Sequence, residues 1–366
     1  MEQRRSKHNK TAYSLMIMIL LCLMLSGCSN ENSKTVESAY SAKQEETLAE
    51  KQDSTDKLPS WTDDSANKAA IIEFVKNVTD EKSEKYVPTE SRVATFDMDG
   101  TIVAEKDIWL ELAVAVHRIN KELSDDKELV AKKDELLNNL KMDPEPENTG
   151  KLIEEVTGKA FEGVTQDEFV RYMNEFMQEK KEDLGDLKYA ESFYKPMLEL
   201  IQYLQDNDFT VYLVSGSERG VVWGATKDVL SLPRSQMIGA DMMLTINKCD
   251  PESSETFYEP NDEIVRGETF TQRSVGDNKI FNIYHQIGIR PILACGNTDG
   301  DFSMLNYVRH NPDYEGMALL VKHDDKEREY YYNVKEEWDN LAEKYDWNVI
   351  SMKNEFESVF LKEATR

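Results

Sequence analysis

Two aspartates separated by one residue offer the most direct chemistry in this sequence. Asp97 and Asp99 follow the short apolar run of residues 92–96, and Gly100 comes directly after them. Such a run predicts a buried strand, and the glycine permits a turn that aims both carboxylates into one small volume. The pair suits Mg²⁺, and it also suits a nucleophile with a neighbouring proton carrier. The same sequence is common in ordinary turns, so the pair alone leaves both interpretations open.

Three further polar groups lie after apolar runs or at the start of helical patterns. Residues 215–217 (Ser-Gly-Ser) follow the apolar run 210–214 and could bind an anion or cap the next helix. Lys279 opens another helical pattern, where a cation is unfavourable for the helix dipole, so it is either functional or an ordinary exposed lysine. Residues 296–301 (Gly-Asn-Thr-Asp-Gly-Asp) follow a further apolar run and suit a cation site or a cap.

The elements that must position these residues alternate between strand and helix. Apolar runs predict buried strands, and apolar residues with a period of 3.6 predict helices between them. From about Glu105 to Lys188 the pattern predicts about four helices and no strand. This alternation predicts an α/β fold with a doubly wound, mostly parallel sheet, whose strand ends bring the polar groups to one edge. Strands are expected over residues 92–97, 210–215, 291–295 and 317–321, with a two-stranded excursion at 236–246 and 267–275 and a first helix from about 62 to 78.

The set of polar groups, in this order, resembles that of the haloacid dehalogenase superfamily, in particular its phosphatases of the phosphoserine phosphatase branch. The resemblance extends over about residues 90–322. It implies that Asp97 is the nucleophile that forms an aspartyl-phosphate. It implies that Asp99 is the acid for the leaving alcohol and the base for water, with its backbone carbonyl on Mg²⁺, while Thr101 steadies the loop. The name-giving dehalogenases lack an acid two residues after the nucleophile, so Asp99 favours phosphate chemistry.

The resemblance also assigns roles to the later groups. Ser215 and the Gly216 N–H would hold phosphoryl oxygens. Lys279 would neutralise the phosphate and hold Asp97 ionised.

One position of the metal site departs from the family pattern. Asn297 stands where the family usually has an Asp that binds Mg²⁺ directly, and Asp301 would support the metal shell. An amide oxygen can still bind Mg²⁺, with one negative charge fewer, and Asp299 could replace it as a ligand. A degenerate site is the alternative interpretation.

A helical cap is the second domain that the resemblance implies. The cap would span residues 105–193, inserted after the first strand of a Rossmann-like core that spans 61–104 and 194–366. Such a cap closes over the cleft and selects the leaving group. Glu105 could bind a cationic group such as an amine, and Trp109 could face a quaternary ammonium. A solvated glutamate and a core aromatic are the simpler interpretations.

The N-terminus predicts an export signal and a lipid anchor. Basic residues precede an uncharged, mostly apolar stretch over 11–25, which is too short for a membrane span and fits a signal peptide. Small residues before Cys28 resemble a bacterial lipobox, which implies cleavage after residue 27 and a diacylglycerol on Cys28. Residues 28–60 are polar and predict a flexible tether. We therefore expect a membrane-anchored protein on the extracytoplasmic face.

The composition excludes one class of binding partner, and the motifs predict the function. The net charge of −26 argues against nucleic acid as a surface partner, and no protein partner can be inferred. The sequence predicts a Mg²⁺-dependent phosphomonoester hydrolase for a small phosphorylated substrate, which could bear an amine or choline. A non-catalytic lipoprotein that uses the fold as a binding module and a phosphotransferase are the alternatives.

Overall fold

A single seven-stranded sheet organises the part of the chain that the computed structural model describes, which is residues 57–106, 108–250, 252 and 256–362. Cys28, the predicted signal peptide and residues 28–56 of the predicted tether lie outside these residues. The tether prediction is wrong for residues 57–60, where Leu58 and Ser60 are buried in the folded body. The strands run in the spatial order β4-β3-β2-β1-β5-β6-β7, and all neighbours pair in parallel except β3 with β4. The predicted α/β class with a mostly parallel sheet is therefore confirmed. The strands are β1 (Val93–Phe96), β2 (Thr210–Glu218), β3 (Met237–Asn247), β4 (Glu263–Gln272), β5 (Leu293–Gly296), β6 (Met317–Lys322) and β7 (Asn348–Ser351).

Helices connect the strands, and most of them turn an apolar face towards the sheet. Between β1 and β2 the described residues contain helices and no strand, as the sequence predicts. The helices are α1 (Ala66–Thr79), α2 (Leu110–Lys121), α3 (Lys127–Asn139), α4 (Thr149–Ala160), α5 (Gln166–Phe176), α6 (Lys195–Gln205), α7 (Arg219–Thr226), α8 (Asp277–Gln286), α9 (Phe302–Arg309), α10 (Glu336–Tyr345) and α11 (Met352–Glu355).

Several element boundaries differ from the sequence prediction by two to four residues, among them the following three. The first helix begins at Ala66 rather than near Thr62, because the Ser65 side chain caps it by accepting a hydrogen bond from the Lys68 N–H. β4 begins at Glu263, before the predicted residue 267. β2 continues to Glu218, beyond the predicted residue 215.

The central strand β1 fixes where the polar residues lie. All four of its residues are buried, and Phe96 stands opposite Leu213 of β2 and Cys295 of β5. Because these three strands are parallel and in register, the residues that follow Phe96, Leu213 and Cys295 lie at the same edge of the sheet.

The helices α2 to α5 occupy the stretch where a cap is predicted. Residues 163–165 lie along the outer edge of β4, where the Gly163 N–H donates to the Arg266 carbonyl and the Arg266 N–H to the Val164 carbonyl. Contacts group 56–366 into one unit, so the division into core and cap stays a prediction. None of the helices in the described ranges is long and apolar enough to cross a membrane.

Candidate active site

A cavity of about 250 Å³ opens at the carboxyl ends of the central strands. Seven of the residues that the sequence analysis names line it, and they come from four separate stretches of the chain. They are Asp97, Asp99, Glu105, Trp109, Gly216, Lys279 and Asp301. The topology therefore assembles residues that are as much as two hundred positions apart in the sequence.

Lys279 contacts both Asp97, after β1, and Asp301, after β5. Its ammonium lies 2.6 Å from Asp97 Oδ1, 2.6 Å from Asp301 Oδ1 and 2.6 Å from the Val214 carbonyl, and the side chain is 2% exposed. The alternative of an ordinary exposed lysine is therefore wrong. Burial alone would lower the pKa of Lys279, but the Asp301 and Asp97 carboxylates raise it above its usual value. Lys279 therefore stays protonated and pairs with the Asp97 carboxylate.

Asp99 is held by two donors of its own. Its Oδ1 accepts a hydrogen bond from the Leu110 N–H at 2.9 Å, at the start of α2, and its Oδ2 accepts one from the Ser217 hydroxyl at 2.8 Å. Burial raises the pKa of Asp99, and these two hydrogen bonds oppose the rise. A carboxyl group of raised pKa, fixed beside Asp97, is suited to carry a proton.

Burial and neighbouring carboxylates raise the pKa of two acidic groups in the cavity, Asp97 and Glu105. Burial, and then the Asp301 carboxylate, raises the pKa of Asp97 to about 7 despite Lys279. Burial raises the pKa of Glu105 well above its usual value, and Asp99 and Asp97 add to that rise. The site is therefore richer in carboxylates than its lysines can balance.

Asp301 shapes the loop that carries Asn297. Its Oδ2 accepts hydrogen bonds from the Asn297 N–H at 2.9 Å and the Thr298 N–H at 3.1 Å, while its Oδ1 is taken by Lys279. The Thr101 hydroxyl lies 3.3 Å from Asp97 Oδ2 and 3.4 Å from Asn297 Oδ1. Asp301 thus supports the loop, and Thr101 joins it to the nucleophile candidate.

Three predicted site residues are fully buried and do not line the cavity: Thr101, Ser215 and Asn297. The prediction that Ser215 opens a helix is wrong, because β2 continues to Glu218 and the helix begins only at Arg219. The Ser215 hydroxyl instead accepts a hydrogen bond from the Ser217 N–H at 3.1 Å.

The carboxylate and amide oxygens at this edge of the sheet are suitable ligands for a hard divalent cation. Within the described part of the chain, no three histidine, cysteine, aspartate or glutamate side chains surround a common point. Mg²⁺ needs fewer, because it usually takes one or two carboxylates and keeps several waters. Asp97 Oδ2 and Asn297 Oδ1 both face Thr101, and among the described residues its distant hydroxyl is their only hydrogen-bond partner. Each side-chain oxygen of Asp99 and Asp301 already accepts a hydrogen bond from the protein, so Asp97 Oδ2 and Asn297 Oδ1 are the better candidates for direct ligands.

The charge balance supports the same conclusion. Four acidic groups act on one another here (Asp97, Asp99, Glu105 and Asp301), and the lysines that oppose them are Lys279 and Lys181. If all four carboxyl groups were ionised, they would exceed the two lysines by two negative charges, and a bound divalent cation would favour that ionised form.

No local pattern in the sequence points to Glu111, which also lines the cavity. Glu111 is 5% exposed, and its Oε1 has no hydrogen-bond partner within the described ranges. Burial, and then the nearby Glu218, raises the pKa of Glu111 to about 7. Its position in the first turn of α2 is an ordinary place for an acidic residue, so only the fold reveals where it lies.

Comparisons with known proteins support the fold. No family model and no curated protein matches the chain. A conserved protein of unknown function from Anaerococcus prevotii superposes with a TM-score of 0.50 at 14% identity, over 80% of this chain and 94% of that one. At that identity the likeness concerns the fold alone.

Two solved phosphatases are more distant. Cytosolic 5'-nucleotidase IIIB bound to cytidine has a TM-score of 0.42 at 13% identity, over 79% of this chain and 86% of that one. Phosphoserine phosphatase from T. onnurineus has a TM-score of 0.33 at 18% identity, over 64% of this chain and 86% of that one. With TM-scores this low, neither carries an argument about activity.

Proposed function

We propose that this protein is a Mg²⁺-dependent phosphomonoester hydrolase that acts through an aspartyl-phosphate on Asp97. The observation that carries the proposal is a buried carboxylate that lies 2.6 Å from a buried lysine in a cavity, beside a second carboxyl group of raised pKa. Nucleophile, cation and proton carrier are the three parts that phosphoryl transfer through a carboxylate requires.

The reaction follows from these positions. Asp97 attacks phosphorus, the bond to the ester oxygen breaks, and Asp99 gives its proton to the departing alkoxide. Asp99 then takes a proton from water as the water oxygen attacks phosphorus, which releases phosphate and restores Asp97. Lys279 and the Gly216 N–H, both at the cavity, bind phosphoryl oxygens through both steps. Bound Mg²⁺, held by Asp97 and Asn297, would add positive charge that stabilises the phosphoryl oxygens.

The cavity favours a small substrate that carries a cation, such as an amine. A volume of about 250 Å³ leaves little room beyond a phosphate and a short alcohol. Glu105, Glu111 and Trp109 line it together with Arg273, and no described residue donates a hydrogen bond to Glu111 Oε1. An orphaned buried acceptor of this kind is costly, so a substrate N–H that reached it would gain affinity. This favours an amine over choline, which has no N–H to offer.

Glu111→Gln should therefore lower kcat/KM for phosphoethanolamine about tenfold more than for ethyl phosphate, since only the first substrate brings a cation. Steady-state rates for the two esters measure this ratio. Glu175→Gln, at an exposed position of α5, is the matched control and should leave the ratio unchanged. Equal losses on both esters would exclude Glu111 as the group that recognises the cation.

The location also remains a proposal. A lipid on Cys28 and the extracytoplasmic face would follow from the N-terminal sequence, and mass spectrometry of the mature N-terminus tests both.

The decisive test is hydrolysis of a generic aryl phosphate by the purified chain with Mg²⁺ and with EDTA. We expect turnover that EDTA abolishes and added Mg²⁺ restores. No turnover, together with no Mg²⁺ binding by calorimetry, would favour the non-catalytic binding module. Phosphate appearing on an added alcohol rather than in water would favour the phosphotransferase.

The acidic surface predicts an unusual response to salt. With a net charge of −26, the protein repels a dianionic substrate, and salt screens that repulsion. We expect kcat/KM for an aryl phosphate to rise about threefold as salt increases from low to physiological concentration. Stopped assays at constant pH and Mg²⁺ measure this, and a rate that salt leaves unchanged or lowers would contradict it.

A further inference from the structure

The loop between β6 and α10, residues 323–333, contacts both halves of the candidate site. His323 Nε2 lies 2.7 Å from the carbonyl oxygen of Gly100, in the turn that follows the two aspartates. Asn297 Nδ2 donates to the Tyr332 hydroxyl at 3.1 Å, and Asn333 Nδ2 donates to the Asn297 carbonyl at 2.7 Å. This loop therefore ties the Asp97 turn to the Asn297 turn.

Buried contacts hold the loop itself in place. His323 is fully buried, and its Nδ1 lies 3.0 Å from Glu329 Oε2. The Tyr194 hydroxyl donates to Glu329 Oε1 at 2.5 Å. The Tyr332 ring stacks on His323 with centroids 4.2 Å apart and an interplanar angle of 20°. The Tyr332 hydroxyl is thus presented to Asn297 from a packed, hydrogen-bonded support.

The absence of a side chain at Gly100 leaves room for the Asn297 amide and the Tyr332 hydroxyl. Gly100 has a φ of +74°, and a Cβ at that position would overlap the Asn297 amide and the Tyr332 hydroxyl. Any larger residue at position 100 would thus push the amide away from Tyr332.

The orientation of the amide decides whether Asn297 can bind a cation. A side-chain amide has an oxygen that accepts or ligates and a nitrogen that only donates. With Nδ2 held by Tyr332, Oδ1 is left on the side of Thr101, whose hydroxyl also faces Asp97 Oδ2. Turned by 180°, the amide would present its nitrogen to that space, where it would repel a cation.

We propose that Tyr332 is a positioning residue that orients Asn297 so that its Oδ1 serves as a Mg²⁺ ligand. The inference rests on the metal part of the proposed function. Asn297 is then an adapted ligand rather than a sign of a degenerate site, because the loop supplies the orientation that a carboxylate, with two equivalent oxygens, does not need.

The test is the Mg²⁺ affinity of the full chain, measured by calorimetry in the absence of substrate. Tyr332→Phe removes the hydroxyl and keeps the ring that stacks on His323. We expect the Mg²⁺ dissociation constant to rise about 3- to 10-fold, the worth of one net hydrogen bond. Tyr331→Phe, at a neighbouring side chain that is 57% exposed, is the matched control and should not change it.

A second background separates orientation from general damage. In the Asn297→Asp background, Tyr332→Phe should change the Mg²⁺ affinity by less than about twofold, because either carboxylate oxygen can bind the ion. Comparing the two backgrounds cancels any general loss of stability. Equal losses in both, or no loss in the Asn297 background, would overturn the proposal.

Two other outcomes are informative in different ways. If the wild-type chain binds no Mg²⁺ and the Asn297→Asp variant does, Asn297 is not a ligand and the inference fails while the site survives. If neither binds Mg²⁺, the metal dependence of the proposed function fails as well.

Discussion

Asp97→Asn is expected to lower kcat for an aryl phosphate by about 10⁴-fold or more, because the amide cannot attack phosphorus. Its melting temperature is expected to stay the same or rise. The pKa of Asp97 is raised to about 7, first by burial and then by Asp301. A carboxyl whose pKa is higher in the folded state lowers stability once pH exceeds its unfolded value near 4, and increasingly so up to about 7. The neutral amide removes that cost, although it also loses the charge that pairs with Lys279.

Steady-state kinetics and thermal unfolding at pH 7.5 measure both effects on one preparation. Asp313→Asn, at an exposed position, is the control and should change neither. Mass spectrometry after rapid acid quenching should detect a phosphorylated wild-type chain and no phosphorylated variant. Turnover that survives Asp97→Asn would exclude the aspartyl-phosphate mechanism.

Much of the architecture could be predicted because a buried parallel strand is recognisable from a short, continuous run of apolar residues. Each apolar run of four to six residues near 93, 210, 293 and 317 became a strand of the sheet. Parallel pairing then placed the residues after β1 and β5 at one edge. β7 and α10 gave no comparable signal, since β7 has one buried residue in four and α10 is strongly polar.

The site could be predicted only as far as its motifs extend. Lys279 was ambiguous because its burial depends on α8 packing so that its ammonium reaches the carbonyl of Val214 in β2. Glu111 reaches the cavity only through tertiary packing, and Tyr332 contacts Asn297, which lies 35 positions away, so no local pattern records either residue. Local periodicity predicts elements, whereas partners of buried polar groups depend on tertiary packing.

Arg266 is another buried polar residue whose partners depend on tertiary packing. It joins the helices between β1 and β2 to the sheet. Its Nε lies 2.6 Å from Glu218 Oε2, at the end of β2, while Nη1 and Nη2 donate to the carbonyls of Gly158 at 2.7 Å and Thr157 at 3.0 Å in the last turn of α4. Arg266 is 1% exposed and Glu218 2%. The guanidinium therefore both balances a buried carboxylate and caps a helix.

Arg266→Met is expected to lower the free energy of unfolding by about 3–5 kcal/mol, because it leaves Glu218 buried without a cation. Adding Glu218→Gln should recover part of this loss. Urea unfolding measures both, with Lys159→Met as the matched control. Lys159 also joins α4 to β4, through Glu268 at 2.6 Å, but both side chains are more than 40% exposed, so its loss should stay below about 1 kcal/mol.

The pH dependence of this loss identifies its cause. Burial raises the pKa of Glu218 even with Arg266 present, so without Arg266 that pKa should rise further. A folded-state pKa above the unfolded value lowers stability at higher pH, and protonation relieves the cost as pH falls. The stability lost in Arg266→Met should therefore be smaller at pH 5 than at pH 8. A loss that is equal at both pH values would attribute the effect to packing and helix capping instead of the uncompensated carboxylate.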